Sequence, residues 1–137
     1  MARILCIDYG KKRTGIAVTD PLKIIASALK TVESKELIGF LKEYIAHESV
    51  EMILVGEPRN LDHSDTDATA SVRDLLSKLV SLFPSIPVKT IDERFTSKLA
   101  SRAMRDMGMK KKQRQKKELV DQIAATIMLQ EYLEHPY

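Results

Sequence analysis

Apolar positions fall into two alternating rhythms along the chain. Arg3-Ile4-Leu5-Cys6-Ile7 is a near-continuous apolar run that ends at Asp8-Tyr9-Gly10, the pattern of a central strand buried on both faces. Thr14 to Thr19 follows too closely for a parallel crossover, so the first two strands form an antiparallel hairpin. A third extended piece, from about Ile24 to Val32, comes after the Asp20-Pro21 turn signal. The period then becomes helical at Leu37, Ile38, Leu41 and Ile45, with Ser34 as the expected N-cap. Glu51 to Val55 is the next strand, closed by Gly56-Glu57-Pro58. A second helix carries Val72, Leu75, Leu76, Leu79 and Val80 and stops before Pro84 and Pro87. Val88 to Ile91 is a fifth strand ending at Asp92-Glu93-Arg94. A third helix is expected through Leu99, Ala103, Met104 and Met107, from Thr96 to a stop at Gly108, and a last helix over Leu119 to Leu133.

The resulting order is β-β-β-α-β-α-β-α-α, read as a single α/β domain over residues 1–137. Because strand-helix-strand crossovers are right-handed, strands one, four and five should be parallel, giving a five-stranded mixed sheet with helices on its faces and an antiparallel edge. That arrangement resembles the ribonuclease H fold.

Three acids stand where the topology gives them a use. Asp8 and Glu93 end apolar strands, at the sheet edge where open α/β folds bind ligands. Asp121 lies on the last helix, with Ala124 and Ala125 on its own face; small side chains there let the helix approach the sheet. An acid at such a position also serves as a turn former or a cap. Converging carboxylates, however, repel one another unless a cation compensates them. The one cysteine, Cys6, and three scattered histidines provide no zinc-type spacing, so carboxylates and a hard ion, Mg2+ or Mn2+, form the expected site. Two such ions ~3.5–4 Å apart would suit phosphodiester hydrolysis. Asp92 competes with Glu93 for the ligand role, and Glu57 is a further candidate.

The net charge of +3 conceals an asymmetry. From Arg94 to Glu118 there are ten basic and two acidic residues, a local +8 that leaves −5 for the rest of the chain. Arg94, Lys110, Lys111, Lys112, Arg114, Lys116 and Lys117 are expected to hold phosphates, since Lys116 and Lys117 at a helix start do not serve the helix dipole. With no interleaved aromatics, the expected partner is a nucleic-acid backbone. His63 in the polar loop reads as surface. No apolar stretch approaches the ~18 residues of a membrane span, and no signal peptide is apparent, so the expected location is the cytoplasm. Asp8-Tyr9-Gly10 with Gly15 is also similar to the phosphate loop of the actin-like and sugar-kinase ATPases, although 137 residues provide only one of the two domains they use.

Asp8-Tyr9-Gly10 with Arg13-Thr14-Gly15-Ile16-Ala17-Val18-Thr19-Asp20, Val55-Gly56-Glu57-Pro58, Asp92-Glu93-Arg94-Phe95-Thr96-Ser97 and Val120-Asp121-Gln122-Ile123-Ala124-Ala125 closely resemble the YqgF/RuvX family, in order and over nearly the whole chain. Its members are named Holliday junction resolvases and pre-16S ribosomal RNA nucleases. The resemblance implies a bacterial, cytoplasmic, metal-dependent endonuclease with active-site acids at Asp8, Glu93 and Asp121 and with Arg13 among the residues that meet nucleic acid. Structured RNA precursor is the favoured substrate and branched DNA the alternative; symmetric junction cutting would require a homodimer. A non-catalytic nucleic-acid-binding protein and a nucleotide-binding regulator are the rival classes. One departure from the family pattern is that Asp62 is followed by His63 where Asp-Gly is usual.

Overall fold

A computed structural model describes residues 2–57, 67–92 and 117–134. Strands β1 (Arg3–Tyr9), β2 (Arg13–Thr19) and β3 (Ala26–Glu33) form an antiparallel meander. A 3-10 turn (Ser34–Glu36) leads into α1 (Leu37–His47), and β4 (Val50–Glu57), α2 (Asp67–Leu82), β5 (Val88–Asp92) and α3 (Lys117–Glu134) follow. Strand order is β3-β2-β1-β4-β5, with β1, β4 and β5 parallel. This is the mixed sheet the apolar pattern predicts. The expected helix through Leu99 and Met107 and the loop holding His63 lie outside the described residues.

The sheet is covered on both faces, as the unbroken apolar run of β1 requires. Leu5 and Ile7 pack with Ile53, Val55, Leu37, Leu41, Val72 and Leu79 on the α1/α2 side, while Ile4 and Cys6 pack with Ala17, Leu54, Ile91, Ala125, Met128 and Leu129 on the α3 side. Each large aliphatic side chain so buried contributes about 1.5–3 kcal/mol. Cys6 is fully buried and acts as a small hydrophobe. Gln130 of α3 accepts the Ala26 backbone N–H at 3.1 Å, tying the helix to edge strand β3.

Two expectations need correction. β3 begins at Ala26 rather than Ile24, because Asp20 Oδ1 accepts the Ile24 and Ile25 amides, each at 2.8 Å, and Oδ2 accepts that of Leu22 at 3.2 Å. Those amides are spent on a turn, in which Lys23 adopts φ 60°. Ser34 does not cap α1: the helix has no side-chain cap, and the Ser34 hydroxyl binds elsewhere.

Backbone donation, led by Ile25, holds the Asp20 carboxyl below its ordinary 3.8. A depressed carboxylate favours the folded turn above the ordinary value and loses that contribution as pH falls through the lowered one. Ile24 and Ile25 amide resonances followed by NMR in acid should therefore titrate below 3.8; a midpoint at or above it would contradict the turn.

Candidate active site at the strand tips

Asp8 lies one residue inside the end of β1, opposite Gly15 of β2, and is half-buried. Its surroundings are built by three polar hooks from Ser34. The Ser34 hydroxyl donates to the Gly10 carbonyl and shares a 2.8 Å hydrogen bond with Thr14 Oγ1, while the Ser34 N–H donates to the Lys12 carbonyl at 2.9 Å. The 10–13 loop is thus pinned to the start of α1. Gly10 is required there: a Cβ would sit 2.5 Å from the Arg13 carbonyl oxygen, closer than backbone atoms tolerate. Gly10→Ala should cost roughly 1–3 kcal/mol and distort the strand tip, a loss that thermal unfolding beside a cleavage assay would register. An unchanged midpoint with full cleavage would refute this reading of the loop.

Strand alternation fixes the side of the sheet on which Asp8 stands. On β1 the residues at 4 and 6 face α3, which puts Asp8 on the α3 side of the sheet. On α3, Asp121 lies one turn before Ala125, which is fully buried against that same face. β1, which carries Asp8, and α3, which carries Asp121, therefore pack in one layer. Glu57 and Asp92 are register partners across β4 and β5, and their positions alternate with Leu54 and Ile91, which face α3. Asp92, the competitor of Glu93 for the ligand role, is the last residue of β5. Glu93 itself lies outside the described residues, as do Arg94, Lys110, Lys111, Lys112, Arg114 and Lys116. Lys117 is the first residue of α3.

Among the described residues no three His, Cys, Asp or Glu side chains come together as a metal cluster. A carboxylate of the kind Asp8 offers suits a hard divalent ion. Arg13 lines a basic cleft with Lys11, Lys12 and Lys35, residues the sequence reading did not single out. A signal was present in Lys11-Lys12-Arg13, but Lys35 joins them only through folding.

The RuvX family, described as Holliday junction resolvase, matches residues 2–135. A protein of Christiangramia forsetii named "Putative pre-16S rRNA nuclease" is 53% identical over 133 residues, covering 97% of this chain and 98% of that protein. A relative of the same name in Porphyromonas gingivalis is 47% identical over 136 residues, covering 99% of each. Among solved structures, Thermus thermophilus RuvC in complex with a Holliday junction substrate aligns with TM-score 0.56 and 20% identity over 99% of this chain and 97% of that one. The fowlpox virus resolvase, solved with Holliday junction DNA, aligns with TM-score 0.60 and 12% identity over 96% and 97%. At such identities the structural likeness establishes the fold, which is ribonuclease H-like. From full-length agreement in sequence and topology, the chain belongs to the RuvX family of Holliday junction resolvase-like nucleases.

Proposed function

We propose that this protein is a divalent-metal-dependent endonuclease that processes pre-16S ribosomal RNA in the cytoplasm. The observation that supports the reading is that Asp8 sits at the tip of β1 and that the helix carrying Asp121, 113 positions on in the chain, packs through Ala125 on the same side of that strand. With Glu93, the residue that follows β5, they form a carboxylate set suited to Mg2+ or Mn2+. Such a cation, when bound, polarises a phosphodiester and makes nearby water a stronger nucleophile. The carboxylates hold and orient it, and the half-buried setting of Asp8 limits competing water. Arg94 and Lys110 to Lys117 bind phosphates flanking the cut. The names of the relatives favour RNA as substrate. Among the described residues no helix is long and apolar enough to cross a membrane.

Purified protein incubated with precursor 16S rRNA and with four-way DNA junctions, in manganese or in chelator, tests the substrate. Manganese-dependent cutting of the RNA in preference to the junction is expected. Preferential, symmetric junction cutting by a dimer would move the assignment to DNA, and equal cutting in chelator would remove the metal.

A further inference from the structure

Next to the proposed active site, at the tip of the first hairpin, the fold assembles a basic trough. A cleft of about 490 Å³ is lined by Lys11, Lys12, Arg13, Glu33 and Lys35. A second of about 290 Å³ shares Lys11 and Lys35 and continues past Tyr9 to Lys78 on α2. Together they run from the hairpin tip across the start of α1, beginning one residue from Asp8.

Among the described residues, charge in the trough is poorly compensated. Glu33 pairs with Lys35 at 3.4 Å and Asp74 with Lys78 at 3.4 Å, both pairs solvent-exposed. Among the described residues no carboxylate forms an ion pair with Lys11 or Lys12, both of which are exposed. Exposed pairs contribute little, so the positive field persists. The loop carrying it is also held in place by the three Ser34 hooks and by the steric demand at Gly10. Like charges on a pinned loop repel without local return.

We propose that this trough binds nucleic-acid backbone phosphates remote from the scissile one, through Lys11, Lys12 and Lys35. The proposal rests on the nuclease reading for its biological sense, but not for its test. Strand register pairs Arg13 with Glu33 on the α3 side, the side of Asp8, whereas Tyr9 packs on the α1/α2 side, so the trough passes from one face of the sheet to the other around the hairpin tip. A substrate engaging both must extend around the strand tips, as a helical or branched nucleic acid does and a mononucleotide does not. Among the described residues the first cleft has no aromatic lining, so contacts are to phosphates and carry no base preference.

The test is anisotropy of a labelled RNA duplex bound to full-length protein in chelator, where cutting plays no part, over ~50–200 mM salt. Each lost phosphate contact lowers the slope of log affinity against log salt by about 0.9 for a B-form duplex, so Lys11→Gln/Lys12→Gln should lower it by about 2. Lys11→Arg/Lys12→Arg should retain the slope, and the remote exposed pair Lys23→Gln/Lys42→Gln should leave it unchanged. A double Gln variant with the parental slope, or one no different from the remote pair, overturns the trough. ATP binding tighter than the duplex and lost in the same variant overturns it in favour of a nucleotide. A protein that cuts RNA yet shows no slope change refutes the trough alone; one that does not cut but loses slope supports the trough and refutes the nuclease.

Discussion

Asp8→Asn should reduce metal-dependent cleavage of precursor rRNA at least ~100-fold while leaving RNA affinity in chelator close to the parental value. The substitution preserves size and hydrogen-bonding capacity but removes a charged oxygen from the site proposed to hold a hard cation, where outer-shell changes alone commonly cost 10–100-fold. The fold should survive, because β1 is held by Leu5, Ile7, Ile4 and Cys6, all buried, and Asp8 lies at its end. Thermal unfolding of the variant next to its cleavage rate separates the two effects. Cleavage within a few-fold of the parent would show that Asp8 does no more than shape the strand tip.

Ala125→Leu should be the most damaging change made outside the site. Ala125 is fully buried between α3 and the sheet, among Cys6, Ala17 and Leu54. Overpacking there costs about 1–3 kcal/mol and is relieved by lifting α3. Asp121 is four residues along the same helix, so the lift would reach the proposed site. A displacement near 1 Å can lower a rate by about 100-fold. Unfolding temperature and cleavage rate should thus fall together, whereas Ala124→Ser, a small change at a neighbouring buried position, should move both much less. A Leu variant that unfolds earlier but cuts normally when folded would uncouple α3 packing from catalysis.

Local pattern was enough for much of this architecture. The apolar run at the start of the chain could be a strand covered on both faces and little else, and its end placed Asp8 at the strand tip. Ala124 and Ala125 likewise foretold a helix lying close to the sheet. What escaped was decided by partners distant in sequence. Ser34 has cap chemistry, but its hydroxyl meets Gly10 and Thr14, and nothing in the residues beside it reveals that competition. Ile24 and Ile25 look like strand, yet Asp20 takes their amides first. The parallel register of β5 with β4 is likewise set by a distant partner and not by the five residues of β5. Lys35 joins Lys11 and Lys12 only through the β3–α1 connection.

If β1 and α3 supply ligands to a shared cation, low-occupancy Mn2+ should broaden the amide resonances around Asp8 and around Asp121 at the same concentration, and Asp8→Asn should weaken both effects together. NMR of the full chain titrated with Mn2+ measures this directly. Broadening confined to one of the two regions, or unchanged by Asp8→Asn, would contradict a common metal site.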